Sequence, residues 1–144
     1  MNVNEKGSIG LIEVIRDLTK SGYECFTPIH DYSAVDLIVL VDKKPIRLQV
    51  KYREQYRNKI TIDFRSIVSR KSVPINMDCI DGWAVYCPEI EKIVYVSKQE
   101  INLNKKGFSF RFESGGNQVN SDKEKLKLYT EFGKLDEWFK SAPC

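Results

Sequence analysis

The chain has 144 residues, 42% hydrophobic and 30% charged, which fits one domain over residues 1–144 with a moderate core. No run of about 18 apolar residues is present, and the opening MNVNEKGS lacks the apolar stretch of a signal peptide, so neither a membrane span nor secretion is expected and a cytoplasmic location is. The four cysteines form no CxxC pair and His30 is the single histidine, which argues against a structural zinc site or a disulfide scaffold.

The net charge of +3 is unevenly spread. From Lys43 to Lys71 ten lysines and arginines stand against Glu54 and Asp63, a net of +8, which leaves −5 for the remainder. Such a block beside YREQY suits a phosphate backbone. A solvated charged face is the plain alternative.

The first element is GSIGLIEVIRDLTKSGY, whose apolar Leu11, Ile12, Val14, Ile15 and Leu18 recur at helical spacing, with Gly22 placed to stop the helix. YECFTP reads as a short strand. VDLIVLV and IRLQVKY flank DKKP and read as a hairpin. KITIDFRSIV reads as one further strand, and GWAVYC with KIVYVS as a second pair. Ser97 to Glu100 resembles a helix-capping box, followed by the strand-like FSFRF. SDKEKLKLYTEFGKLDEWFK, with Leu128, Tyr129, Phe132, Leu135 and Phe139, predicts a closing amphipathic helix. The order is that of an α/β (α+β) fold, a mixed sheet flanked by helices.

Alternation across strands sorts the hairpin into faces. Leu37, Val39 and Val41 share one face with Ile46, Leu48, Val50 and Tyr52. If Asp42 and Pro45 close the turn, the other face pairs Asp36 with Lys51, Ile38 with Gln49 and Leu40 with Arg47. Asp36 and the Gln49 side-chain carbonyl are hard oxygen donors suited to Mg²⁺. Lys51 is a point charge able to orient a water or neutralise a phosphoryl group. A polar face with an Asp36–Lys51 cross-strand pair accounts for the same residues without catalysis.

Read after its helix, the pattern KG..G, helix, GY, DLIV, QVK resembles the PD-(D/E)XK nuclease superfamily, with its restriction-endonuclease-like fold. The downstream CIDGWAVYCPEIEKIVYVSKQEI is similar to its small endonuclease branch. The closest resemblance is to cyanobacterial group I intron-encoded homing endonucleases of this fold. It implies a site-specific double-strand DNA endonuclease using Mg²⁺ (or Mn²⁺), in which Asp36 matches the motif aspartate, Gln49 the usual acid and Lys51 the lysine. The backbone carbonyl of Val50 would join Asp36 and Gln49 on the metal. A homo-oligomer, dimer or tetramer, is implied too, because one 144-residue chain offers one centre for two strands.

Two departures stand out. Val35 rather than proline precedes Asp36, and Leu11 occupies the position after KGxxG where related chains often carry glutamate. Glu13 lies two residues on, about 200° round a helix, which leaves a site without the helix carboxylate, a rotated helix, or an inactivated version. With one matched acid, Mg²⁺ is expected to bind appreciably only alongside DNA phosphates.

Other candidates carry two readings each. His30 suits a proton shuttle or a backbone-bonded loop residue. Tyr52 falls on the apolar face, whereas Tyr56, among Arg53, Arg57 and Lys59, suits contact with DNA. FRSIVSRKS could lay Arg65, Ser69 and Lys71 into a groove, or form an edge strand blunted by charge. Lys43, Lys44 and Arg70 complete the candidate double-stranded DNA contacts. Alternatives to homing cleavage are a Holliday-junction resolvase-like nuclease, a non-catalytic DNA-binding module, and a metal-free protein-interaction domain, which leaves the basic block without a role.

Overall fold

The computed structural model describes residues 1–30, 34–68, 71–113 and 126–138, excluding the side chains of 66–68 and 71–73. The first helix, α1 (Val3–Lys20), begins four residues earlier than the sequence suggests. Asn2 caps it: its side chain accepts the Glu5 N–H at 2.9 Å, and Glu5 answers to the Asn2 N–H at 3.2 Å, so two otherwise orphaned donors are satisfied. The helix ends at Ser21, and Gly22 follows at φ +90°, a conformation that favours glycine.

Five strands form the main sheet: β1 (Glu24–Phe26), β2 (Leu37–Val41), β3 (Lys44–Tyr52), β7 (Gly82–Cys87) and β8 (Lys92–Ser97), in that spatial order. Neighbours run antiparallel except β3 and β7, which are parallel. A second sheet holds β4 (Lys59–Asp63), β9 (Gly107–Arg111) and β10 (Lys127–Leu128), and β5 (Arg65–Val68) pairs with β6 (Lys71–Pro74). The arrangement is a mixed α+β fold, as the sequence predicts.

Both faces of the main sheet are covered. Val14 and Leu18 of α1 meet Leu37, Val39, Val41, Ile46 and Leu48 on one side. Trp83 and Val85 meet Ile60, Ile62, Phe64 and Phe110 of the second sheet on the other. Each such side chain contributes about 1.5–3 kcal/mol on leaving water. The helix crosses β3 closely at Gly10, where a Cβ would come within 3.3 Å of the Tyr52 Cβ. Ile12, placed by periodicity on the core face, is instead 62% exposed.

The hairpin faces hold, but its register is corrected. Leu37 pairs with Leu48 and Val41 with Lys44, leaving Asp42 (φ 52°) and Lys43 (φ 68°) as the two central turn residues. This two-residue turn, with both φ positive, matches the twist of the adjoining strands; the expected closure by Asp42 and Pro45 put Lys43 and Lys44 at its centre instead. The slip is two residues, an even number, so each side chain keeps its face. Asp36 therefore stands beside Gln49 rather than Lys51.

Two other expectations fail. KITIDFRSIV divides at Phe64, because β4 pairs with β9 while β5 turns to β6. In residues 126–138 the amphipathic helix is replaced by β10 and two 3-10 turns, Tyr129–Glu131 and Leu135–Glu137. Pairing of β10 with β9, edge-on docking of Tyr129 and Phe132 against Phe112 and Phe110, and the Gly133 N–H bonded to Glu100 hold this irregular path. Phe139 and the opening SDKE lie outside the described residues.

Candidate functional site

Asp36 precedes β2, and its backbone N–H donates to the Leu48 carbonyl at 2.9 Å. Its Oδ2 accepts the Val50 N–H at 2.8 Å. Asp36 is thus tied to β3 through both its backbone and its carboxylate. Asp36 and Val50 line a hollow of about 490 Å³ walled by Gly7, Ser8 and Leu11 of α1 and by Thr27 to His30. Leu11 therefore stands in the same hollow as Asp36. Glu13 does not; it lines a separate hollow with Arg16, Tyr86 and Glu91 and pairs with Arg16 at 3.9 Å.

Gln49 is 5% exposed, and its Oε1 accepts the Trp83 indole N–H at 3.1 Å. Lys51 follows on the same face of β3 and is half-buried. Burial lowers its pKa first, the neighbouring Arg53 charge adds to this, and Asp36 and Asp63 oppose it. Arg53 is likewise lowered by burial and supported by Asp63, and its guanidinium donates to the Tyr52 carbonyl at 2.9 Å.

Sequence reasoning missed Asp63 and Trp83. Asp63 ends β4, and the next residue, Phe64, stacks on Trp83 with centroids 5.5 Å apart. That stack sets the end of β4 over the Gln49–Lys51 face. The signal was absent because β4 belongs to another sheet, and its approach is a tertiary fact. Trp83 carries a local hint only in being an aromatic with a polar handle.

The donors present are all oxygens: the Asp36 carboxylate, the Gln49 amide and the Val50 carbonyl. They fit Mg²⁺ in type but supply one formal charge, and among the described residues no group of three His, Cys, Asp or Glu converges as a metal cluster.

The basic block is not one patch. Arg47 is committed to Asp81 through two guanidinium contacts of 3.2 and 3.1 Å and also donates to the Asp78 carbonyl, which raises its pKa. Lys43 and Lys44 sit at the hairpin tip, while Arg53 follows the far end of β3, roughly 26 Å away at ~3.3 Å per residue. Beyond Arg53, Tyr56 and Lys59 exchange backbone hydrogen bonds of 2.9 and 3.1 Å around Arg57 (φ 54°) and Asn58 (φ 61°). This tight tip presents Tyr56, 71% exposed, with the Arg57 guanidinium over its ring at 5.2 Å. Arg65 is exposed on β5. Ser69, Arg70 and the Lys71 side chain lie outside the described residues.

A family model described as PD-(D/E)XK endonuclease matches residues 1–128. Among solved structures, a bacterial homing endonuclease, I-Ssp6803I, superposes with a TM-score of 0.65 over 85% of each chain, at 15% identity; that likeness is one of fold. No curated protein matches the sequence.

Proposed function

The chain belongs to the PD-(D/E)XK endonuclease family, and from that premise we propose that it is a Mg²⁺-dependent, site-specific double-strand DNA endonuclease of homing type. The reading takes residues 1–144 as one nuclease domain acting in the cytoplasm on nucleoid DNA, as a dimer or tetramer. The observation that supports it is Asp36, bonded to the Val50 N–H between Gln49 and Lys51 on β3 and opening on a hollow.

Asp36, Gln49 and the Val50 carbonyl would hold the ion, Mg²⁺ or Mn²⁺. When bound, it would withdraw electron density from a phosphodiester and acidify water. The chain's own part is positional and electrostatic. The Val50 N–H fixes the Asp36 carboxylate. Lys51 Nζ, whose proton is held less tightly than an ordinary lysine's because of burial and the Arg53 charge, would position and help activate the water attacking phosphorus. The product ends would be 5′-phosphate and 3′-hydroxyl. Arg53, Arg57, Lys59 and Arg65 would neutralise phosphates on the site side, with Tyr56 against the duplex. Lys43 and Lys44, with Ser69, Arg70 and Lys71, complete the proposed contacts. Binding should weaken steeply with salt.

A second reading has one observation in its favour. Leu11, an apolar residue, stands in the hollow with Asp36, as it would in a non-catalytic DNA-binding module. Incubating plasmid and pooled genomic DNA with the protein in Mg²⁺ or EDTA separates the two. Discrete Mg²⁺-dependent breaks support the nuclease; metal-indifferent binding without breaks supports the module.

A further inference from the structure

Trp83 and Gln49 are partners in the parallel ladder of β3 and β7, so their side chains leave the sheet side by side on one face. Trp83 is fully buried and Gln49 nearly so. Phe64 stacks on the indole at 5.5 Å and 26°, and Phe108 leans against it at 5.0 Å and 60°. An indole nitrogen donates and does not accept, so the amide end beside Trp83 is the oxygen, Oε1, at 3.1 Å. Turning the amide over would strand a buried N–H against an NH₂ group, which is costly.

Resting on the reading of Gln49 as a metal ligand, we propose that Trp83 is the positioning residue of the metal site, holding the Gln49 carbonyl oxygen so that its second lone pair meets a divalent cation. An amide oxygen has two lone pairs, and the indole occupies one. The indole hydrogen bond fixes the amide's orientation, so the oxygen is already aimed and loses little rotamer freedom when a cation arrives.

The test titrates Mn²⁺, which quenches nearby indoles, into the full chain bound to heterogeneous duplex DNA, reading indole emission and then strand cleavage. Trp138, the other indole, is buried against Gly82 and supplies a constant background. The expected result is saturable quenching, reversed by EDTA and lost in Gln49→Ala. Trp83→Phe keeps a ring for Phe64 and Phe108 and removes the N–H. It should need roughly 10-fold or more Mn²⁺ for half-maximal cleavage, and add nothing in a Gln49→Ala background. If Trp83→Phe does not fold, benzothienylalanine at position 83 keeps the bicyclic shape with sulfur in place of N–H. An unchanged metal requirement in a folded variant, quenching that survives Gln49→Ala, or additive effects in the double variant would each overturn the role of Trp83 and leave the nuclease reading standing. No quenching and no Mn²⁺-dependent cleavage by the unaltered chain would overturn the metal reading itself, and this inference with it.

Discussion

The Asp36 carboxylate accepts the Val50 backbone N–H at 2.8 Å, which ties the motif acid to β3 at the rim of the hollow it lines. Asp36→Asn keeps the shape and removes the charge. Cleavage should fall by roughly 10²–10⁴-fold, the range for losing one group that acts in the transition state, while DNA affinity in EDTA stays within about twofold. Filter binding alongside single-turnover cleavage reads both quantities. An equal loss of binding and cutting would mean that Asp36 serves the fold.

Lys51 makes the pH dependence predictable in sign. Burial and Arg53 lower its pKa, and Asp36 and Asp63 raise it. Cleavage should therefore rise with pH through a value below that of ordinary lysine. Arg53→Gln removes a repelling charge and should move the profile to higher pH. Asp63→Asn removes a supporting one and should move it to lower pH. The folded chain also releases this proton more readily than the unfolded chain, so the group's penalty on stability is full below the folded pKa and fades as pH rises through it. Profiles of cleavage rate for the three proteins check the order; a shared profile would remove Lys51 as the titrating group.

The DNA contacts should divide by position along β3. Arg57→Ala should lower the salt slope of binding by about one phosphate contact, and Tyr56→Ala should weaken binding by about 1–3 kcal/mol if its ring stacks on a base. Lys43→Ala and Lys44→Ala, at the opposite end of the strand, should lower affinity and the salt slope less than Arg57→Ala does. Affinity measured at several salt concentrations distinguishes the two ends. Equal effects from both would mean that the duplex runs along the strand.

Leu11 offers a gain rather than a loss. It shares the hollow with Asp36 and Val50, so Leu11→Glu brings a second carboxylate to the donors there. Half-maximal cleavage should need several-fold less Mg²⁺, since each added charged oxygen donor strengthens a hard-cation site. The same change at Ile12, exposed and turned away, should do nothing. A cleavage titration against Mg²⁺ gives the comparison.

A structural prediction guards the frame of the site. A Cβ on Gly82 would run into the Val96 carbonyl oxygen and lie 2.6 Å from the Trp138 ring. Gly82→Ala should cost about 1–3 kcal/mol or more, as overpacking does, read from denaturant midpoints.

Alternation within β2 and β3 was enough to separate Leu37, Val39 and Leu48 from Asp36, Gln49 and Lys51, because a period of two belongs to the strand alone. The register was not legible: Asp42 and Lys43 adopt left-handed φ values, which aspartate tolerates but lysine does not signal. The tail misled for a related reason. Leu128, Tyr129, Phe132 and Leu135 have helical spacing, yet strand pairing with β9 and the contact of Gly133 with Glu100 override it. Asp63 and Trp83 stayed hidden because their nearness to Lys51 and Gln49 comes from stacking one sheet on another. Asp36, Gln49 and Lys51 could be named as candidates from sequence because the family pattern spans a single hairpin.

The most direct measurement is single-turnover cleavage at one mapped break, in Mg²⁺, by the unaltered chain and by Lys51→Ala, with DNA binding measured on the same preparations. The account predicts breaks with 5′-phosphate and 3′-hydroxyl ends, lost in EDTA and slowed by 10²-fold or more in Lys51→Ala, at unchanged DNA affinity. Cleavage that persists at full rate in Lys51→Ala, or tight DNA binding with no break under any metal, would contradict it.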